Sequence, residues 1–113
     1  MAMPIEKQAE TETPEMERIK KSLTTETLWP WILALLSRKP RHAYVLRNEI
    51  KKEFGFLPGT VTCYKVLYIL KSRKYVAVKR DGRKKVYYPT EKGKQELLKA
   101  KTLLNQLSRE LHG

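Results

Sequence analysis

The sequence predicts a mainly α-helical domain that carries a single two-stranded β-hairpin. Four stretches between residues 28 and 111 repeat apolar side chains every three or four positions, which is the spacing that lines one face of an α-helix. Residues 75–89 instead alternate apolar and polar side chains around Asp81-Gly82, a dipeptide typical of tight hairpin turns. A chain of 113 residues supports one such domain with a tail.

The N-terminal segment differs from the rest of the chain. Residues 1–12 are polar and show no apolar periodicity, so we expect them to be disordered. A short helix should then begin, because Thr13 is a good N-cap residue and Pro14 fits the first helical position. The single apolar stripe of this helix consists of Met16, Ile19 and Leu23. The stripe could pack on the body or on a second subunit, and we assign residues 1–26 to a flexible segment that can hold this helix.

Two helices open the body of the protein. The first covers residues 28–36 and must hold Pro30 within its first turn, because a proline deeper in a helix removes a hydrogen bond and clashes with the preceding turn. The second should run from about residue 42 to residue 54, since Gly55 is a natural C-terminal stop.

A third helix, residues 58–72, is predicted to have two different faces. Its core face consists of Cys63, Val66, Leu67 and Leu70. The opposite face carries hydroxyls and Lys65 rather than carboxylates, and Thr60 is its expected N-cap. Two helices joined by a short turn that contains glycine form a helix-turn-helix, so this third helix is the candidate recognition helix.

The predicted hairpin allows two registers. With a two-residue loop, the valines of the first strand share a face with Lys85 and Tyr87. With a three-residue loop that is bulged at Gly82, they share a face with Val86 and Tyr88. Because only the second register groups apolar residues coherently on one face, we expect the three-residue loop.

The terminal helix is expected to follow Thr90, its N-cap, and to reach about residue 111. Its apolar seam consists of Leu97, Ala100, Leu104, Leu107 and Leu111. This surface is larger than three short helices can cover, so we predict that residues 91–113 form a dimerisation helix. The alternative is that the seam folds back onto the first helix of the body within one subunit.

The charge of the body predicts a polyanionic partner. The chain has 24 lysines and arginines against 12 acidic residues, a formal charge of +12. Residues 1–27 hold six acids and four bases, whereas residues 28–113 hold six acids and twenty bases, a net charge of +14. Such a charge favours nucleic acid, or less often an anionic membrane surface. The plainer interpretation is a lysine-rich protein without such a partner.

Several functional classes find no support in the sequence. The single cysteine, Cys63, excludes a disulfide within the chain and a zinc site built from several cysteines. The longest apolar run, residues 29–36, is too short to span a bilayer, and the acidic, polar N-terminus does not resemble a signal peptide. No nucleophile set, acidic cluster or phosphate-binding loop is present. We therefore expect a cytoplasmic protein that has no cofactor, metal, membrane partner or enzymatic activity.

The order of these elements is that of a winged helix-turn-helix protein, which we assign to residues 27–90. Three segments carry a closer resemblance: WILALLSRKPRHAYVLRNEI, GTV…YKVLYIL and DGRKKVYYPTEKGKQEL. They are similar to the PadR-type transcriptional regulators over residues 28–98. The resemblance implies a homodimeric, sequence-specific DNA-binding repressor or activator.

We assign DNA contacts to two groups of side chains. Those on the recognition helix would face the major groove; they are Thr60, Val61, Thr62, Tyr64, Lys65 and Tyr68. Those on the wing and before the second helix would bind phosphate; they are Arg41, Lys79, Arg80, Arg83, Lys84 and Lys85. Because Lys65 is the one strong base reader among the first group, DNA shape should carry much of the specificity.

Two other functions fit the charge: an RNA-binding or ribosome-associated basic protein, and a non-specific chromatin-type DNA-binding protein. RNA-binding sheets usually stack bases on exposed aromatic side chains, and the predicted wing lacks such a platform. The expected partners are therefore double-stranded DNA and a second copy of the chain, with the protein associated with DNA.

Overall fold

The computed structural model describes residues 13–112 of the protein. In chain order these form α1 (Pro14–Leu23), α2 (Trp29–Arg38), a short 3₁₀ helix (Ala43–Val45), α3 (Leu46–Phe54), α4 (Thr60–Ser72), β1 (Val76–Asp81), β2 (Lys84–Pro89) and α5 (Glu91–Glu110). The predicted fold class, mainly helical with a two-stranded antiparallel wing, is confirmed. The disorder expected for residues 1–12 concerns a part of the chain outside the described residues. Between residues 13 and 112, no helix is long and apolar enough to cross a membrane.

α2 lies at the centre of the hydrophobic core. Four of its side chains, Ile32, Leu33, Leu35 and Leu36, are at most 1% exposed. They are covered by α3, α4, β2 and α5, all of which contact α2. The other elements contribute Leu46, Ile50, Cys63, Leu67, Leu70, Val76 and Tyr87 to the same core. Pro30 lies in the first turn of α2, as predicted.

Three helix ends match the sequence prediction. Thr13 caps α1 by accepting a hydrogen bond from the Met16 amide at 3.2 Å. Thr90 caps α5 in the same way, accepting from the Gly93 amide at 3.1 Å. Gly55 ends α3 with a φ of 87°, the left-handed conformation that glycine adopts without steric cost.

Two helix starts correct the prediction. The second helix does not begin at residue 42, because His42 is extended and a turn of 3₁₀ helix precedes α3. Thr60 is not the N-cap of α4. Gly59 holds that position in an extended conformation, and Thr60 is the first helical residue. The Gly59 carbonyl accepts the first helical hydrogen bond from the Cys63 amide at 2.9 Å. No side-chain cap is made, because glycine has no side chain.

The predicted three-residue hairpin loop is wrong. Asp81 pairs with Lys84, which leaves a two-residue loop with a φ of 67° at Gly82. Val78 therefore lies opposite Tyr87, and the Tyr87 side chain is only 5% exposed.

Two facts explain why the hairpin adopts this register and not the register that places Val86 and Tyr88 on the buried face. The Tyr87 ring fills space in the core that a valine would leave empty. Lys85 shares that face, but it pairs with Arg80 near the hairpin tip, where its side chain stays exposed. Its charge therefore remains in solvent. Tyr87 also forms a β-bridge to Arg41, with backbone hydrogen bonds of 3.1 and 2.8 Å, which extends the wing by one short segment.

The start of α5 is fixed to the base of the wing. The Thr90 amide donates to the Tyr75 carbonyl at 3.0 Å, and the Thr90 hydroxyl donates to the Lys74 carbonyl at 2.6 Å. Gly93, one turn later, lies directly against the Tyr75 carbonyl. These contacts set the direction in which α5 leaves the body.

Candidate nucleic-acid interface

The exposed face of α4 contains the side chains predicted to read DNA. Five of them are exposed and Tyr64 is half-buried; the exposed ones are Thr60, Val61, Thr62, Lys65 and Tyr68. Val61 is 79% exposed, the largest value among the large hydrophobic side chains of α4. The first turn contains no acidic residue. The opposite face is buried through Cys63, Leu67 and Leu70, so packing in the core holds this side of α4 towards solvent.

Three tyrosines join the exposed face of α4 to the wing. The ring centroids of Tyr64 and Tyr68 lie 6.3 Å apart. Burial raises the pKa of the Tyr87 hydroxyl above 10.0, and the nearby Tyr68 and Tyr64 hydroxyls raise it further because their ionised forms would repel a phenolate. Tyr87 therefore stays uncharged at neutral pH. The Tyr87 hydroxyl therefore does not repel an anion that approaches the place where α4 meets the wing.

The wing carries five exposed basic side chains around one acid. These are Lys79, Arg80, Arg83, Lys84 and Lys85, with Asp81 among them. Arg80 lies directly opposite Lys85 across the hairpin, and like charges at such positions repel. A phosphate group between them would relieve this repulsion. Four of the five, Arg80, Arg83, Lys84 and Lys85, are therefore brought together at the hairpin tip. Lys79 lies further down β1 opposite Val86, with its ammonium 6.0 Å from the Tyr88 ring centroid.

Tyr44 belongs to this surface, although the sequence reasoning did not select it. Its ring is 60% exposed and stacks on His42, with centroids 5.5 Å apart and planes 9° from parallel. The Lys84 ammonium lies 5.7 Å from the Tyr44 ring centroid and 3.5 Å from its hydroxyl. His42 in turn donates to the Lys85 carbonyl at 2.9 Å. An aromatic residue two positions after His42 and three positions after Arg41 was the only signal in the sequence.

Arg41 differs from the other predicted phosphate ligands. Its guanidinium pairs with the Glu49 carboxylate at 3.2 Å, and its side chain is only 13% exposed. Its backbone pairs with Tyr87 of the wing. This geometry favours a role in holding the wing against α3 over a direct phosphate contact.

The apolar seam of α5 divides at Ala100. Leu97 packs against the core of its own protomer, and Ala100 is half-buried. Leu104 and Leu107 are 47% and 49% exposed, and Leu111 is 84% exposed. Leu103, at 53%, widens the exposed part. The alternative, in which the seam folds back onto the body of its own subunit, therefore holds only for the first part of the seam, Leu97 and Ala100.

The apolar stripe of α1 is also uncovered. Met16, Ile19 and Leu23 are each 47% exposed. α1 is held to the body at its C-terminal end, where the Trp31 indole donates to the Leu23 carbonyl at 2.8 Å. The Thr27 hydroxyl donates to the Ser22 carbonyl at 2.6 Å. The stripe thus projects from the body on a helix that is anchored at one end.

A recognition helix, a preceding helix and a basic two-stranded wing define a winged helix-turn-helix protein of the DNA-binding class. The family model described as "Transcriptional regulator PadR-like family" matches residues 32–99, more than half of the chain. The chain therefore belongs to the PadR-like family of transcriptional regulators. It is a DNA-binding regulator rather than an enzyme. None of the curated proteins compared with the chain matches it.

Several solved structures are similar to the chain. A PadR-like transcription factor from Bacteroides fragilis has a TM-score of 0.68 at 21% identity, covering 83% of this chain and 95% of that one. A PadR family regulator from Eggerthella lenta has a TM-score of 0.67 at 22% identity, covering 88% and 94%. Bacillus subtilis PadR in complex with operator DNA has a TM-score of 0.56 at 28% identity, covering 65% of this chain and 46% of that one.

Proposed function

We propose that the protein regulates transcription as a cytoplasmic homodimer that binds a specific sequence in double-stranded DNA. α4 enters the major groove and the wing binds the phosphate backbone. The observation that carries the proposal is the arrangement of charge: five exposed basic side chains of the wing accompany an exposed face of α4 without carboxylates. The similarity to Bacillus subtilis PadR, whose structure contains operator DNA, supports the same class of ligand.

The two parts of the interface have different tasks in this proposal. Lys79, Arg80, Arg83, Lys84 and Lys85 neutralise phosphates, which supplies affinity that does not depend on sequence. Lys65 and the side chains around it on α4 contact base edges, which supplies the sequence preference. Arg41 positions the wing through its pair with Glu49.

The uncovered apolar surface of α5 supports the proposal of a homodimer. Burying a leucine completely stabilises by about 1.5–3 kcal/mol, so the half-exposed Leu103, Leu104 and Leu107 offer about 1 kcal/mol each, and Leu111 about 2. Two protomers together then gain roughly 10 kcal/mol, which is of the same order as the 4–15 kcal/mol that association costs. The α5 seam alone therefore gives a marginal dimer.

The α1 stripe can make the dimer stable. Its three half-exposed side chains add about 1 kcal/mol each on the same scale, or roughly 6 kcal/mol for two protomers. We therefore include α1 with α5 in the proposed interface. A dimer would also present two recognition helices to a palindromic site, whose half-sites lie about 34 Å apart along the DNA.

Selection of bound duplexes from a random pool tests the DNA proposal. The selected duplex should bind with a steep salt dependence that corresponds to about six to ten neutralised phosphates per dimer. Lys65→Ala should relax the selected base preference, whereas Arg83→Ala should weaken binding to all duplexes alike. Equal affinity for structured RNA, or a flat salt dependence, would overturn the proposal.

Sedimentation of two charge-matched variants tests the dimer. Leu104→Lys places a charge in the seam and should yield a monomer whose operator binding is much weaker. Thr102→Lys adds the same charge to an exposed position on the opposite side of α5 and should remain dimeric. A wild-type protein that is already monomeric would refute the argument from the seam.

A further inference from the structure

The exposed face of α4 carries an apolar surface that none of the described residues covers. We call Val61, Tyr64, Tyr68 and Ile69 the α4 strip. Val61 is 79% exposed, Tyr68 54% and Ile69 42%, and all four side chains line one open groove together with Thr60, Lys65 and Ser72. A soluble protein has no structural reason to expose such a surface in the middle of a polar face.

The polar groups usually used to read bases are missing from α4. Between Thr60 and Ser72 there is no Arg, Asn, Gln, Asp or Glu, the residues that make bidentate contacts to guanine and adenine or accept from cytosine. Of the basic residues between positions 13 and 112, Lys65 alone lines the groove. The side chains of this groove can therefore form few hydrogen bonds with base edges, and such bonds contribute little to the binding free energy.

Thymine offers the matching chemistry, because its 5-methyl group is the apolar group that a base pair presents in the major groove. We infer that the α4 strip recognises thymine methyl groups, and that this contact sets much of the base preference of α4. This inference rests on the proposed function, since it requires α4 to lie in the major groove. A cytosine in the same place would bury its amino group against Val61 or Ile69 without an acceptor, which is unfavourable.

Charge identifies DNA rather than a protein as the occupant. Lys65 lies within the groove, Lys71 lies on the same helix, and the basic wing follows it in the chain. No carboxylate of α4 opposes an anion. An apolar surface bordered in this way suits a ligand that combines methyl groups with phosphates, which is a thymine-containing duplex.

Replacement of thymine by uracil tests the inference directly, because it removes only the methyl group and keeps every hydrogen-bonding group. The experiment uses the full chain and the duplex selected from the random pool, with single substitutions at each thymine and a fixed salt concentration. Loss of one buried methyl contact should weaken binding about fourfold, and loss in both half-sites about fifteenfold. Uracil at thymines outside the half-sites should have no effect and serves as the control.

Variants of the α4 strip assign the contact. Val61→Ala and Ile69→Ala should each reduce the uracil penalty at the thymine they contact, because the methyl group has then lost its partner. Both residues are exposed, so the variants should fold normally, which circular dichroism checks. Arg83→Ala should weaken thymine and uracil duplexes by the same factor.

The outcomes separate the inference from the proposed function. Sequence-specific binding with no uracil penalty at any half-site position overturns the inference and leaves the proposed function standing. Penalties that neither strip variant reduces also overturn it, as do strip variants that bind all duplexes like the wild type. Failure to select any sequence from the pool overturns the proposed function itself.

Discussion

Gly93→Ala is expected to destabilise the protein, although helix propensity alone predicts the opposite. Alanine is about 1 kcal/mol more favourable than glycine inside a helix, and Gly93 lies within α5. However, a Cβ at this position would overlap the carbonyl oxygen of Tyr75 and lie 2.9 Å from its carbonyl carbon. It would also approach the Leu33 side chain to 3.3 Å. The Tyr75 carbonyl is backbone and cannot rotate away as a flexible side chain could.

The size of the destabilisation by Gly93→Ala depends on how far the backbone around Tyr75 must shift to make room for the methyl group. Inserting a methyl group into a filled space costs typically about 1–3 kcal/mol. The shift would also strain the hydrogen bond from the Thr90 amide to the Tyr75 carbonyl, now 3.0 Å long, which contributes about 1 kcal/mol. After the gain of about 1 kcal/mol from propensity, we expect a net loss of roughly 1–3 kcal/mol in the free energy of unfolding. Such a loss lowers the melting temperature of a domain of this size by several degrees, on the order of 4–8 °C per kcal/mol.

Urea unfolding at one fixed protein concentration measures this loss, because dimer formation makes stability depend on concentration. Gly59→Ala is the matched control. A Cβ at Gly59 would approach the Thr62 side chain only to 3.7 Å, an ordinary contact, and its φ of −64° suits alanine. Because alanine is a poorer N-cap than glycine and Gly59 is the N-cap of α4, we expect this control to lose up to about 1 kcal/mol, less than Gly93→Ala. A Gly93→Ala protein as stable as the wild type, or more stable, would refute the argument.

Three further changes test other contacts. Burial raises the pKa of the Cys63 thiol from 9.0 to about 11. The folded state therefore favours the protonated thiol, and this contribution to the free energy of unfolding is complete below pH 9 and is lost towards pH 11. Across that range the free energy of unfolding of the wild type, measured in urea, should fall by about 2–3 kcal/mol more than that of Cys63→Ala. Glu49→Gln should cost about 1–2 kcal/mol, because it leaves the largely buried Arg41 guanidinium without a charged partner; thermal unfolding measures this, and a change below a few tenths would contradict it. Thr90→Val removes a hydroxyl that makes two hydrogen bonds and should cost about 1–2 kcal/mol in urea unfolding, whereas Thr90→Ser should cost much less.

Most of the fold could be predicted because its elements depend on local signals. The caps of α1 and α5, the stop at Gly55 and the place of Pro30 all follow from the conformational preferences of single residues. The helix faces follow from periodicity. These signals act within a few positions, so a single sequence contains them.

The register of the hairpin could not be predicted in this way. The prediction grouped the most apolar side chains of both strands on one face. By that criterion Tyr87 is only partly apolar and Lys85 does not belong on a buried face, so the register that the hairpin adopts was rejected. In the structure, the Tyr87 ring is needed to fill the core, and Lys85 lies beyond its edge. Register was therefore decided by where the core ends, which is a property of the packed molecule rather than of the strand.

Much of the candidate interface was visible in the sequence, because basic residues at a hairpin tip are close in the chain as well as in space. Tyr44 and the pair of Arg41 with Glu49 were not visible. Tyr44 meets Lys84 across forty positions, and Arg41 meets Glu49 only because the chain turns through the 3₁₀ helix. Contacts of this kind depend on the path of the backbone.

α5 connects the two halves of the proposed function. Its first turns are fixed to its own protomer by Gly93 and Leu97, whereas the seam leucines beyond Ala100 are exposed. An α-helix transmits direction with little bending over this length. In the proposed dimer, the contact of Gly93 with Tyr75 therefore sets the angle between the wing and the dimer interface. In the same proposal, the spacing of the two recognition helices, and with it the spacing of half-sites in the DNA, depends on a buried glycine that lies outside both proposed interfaces.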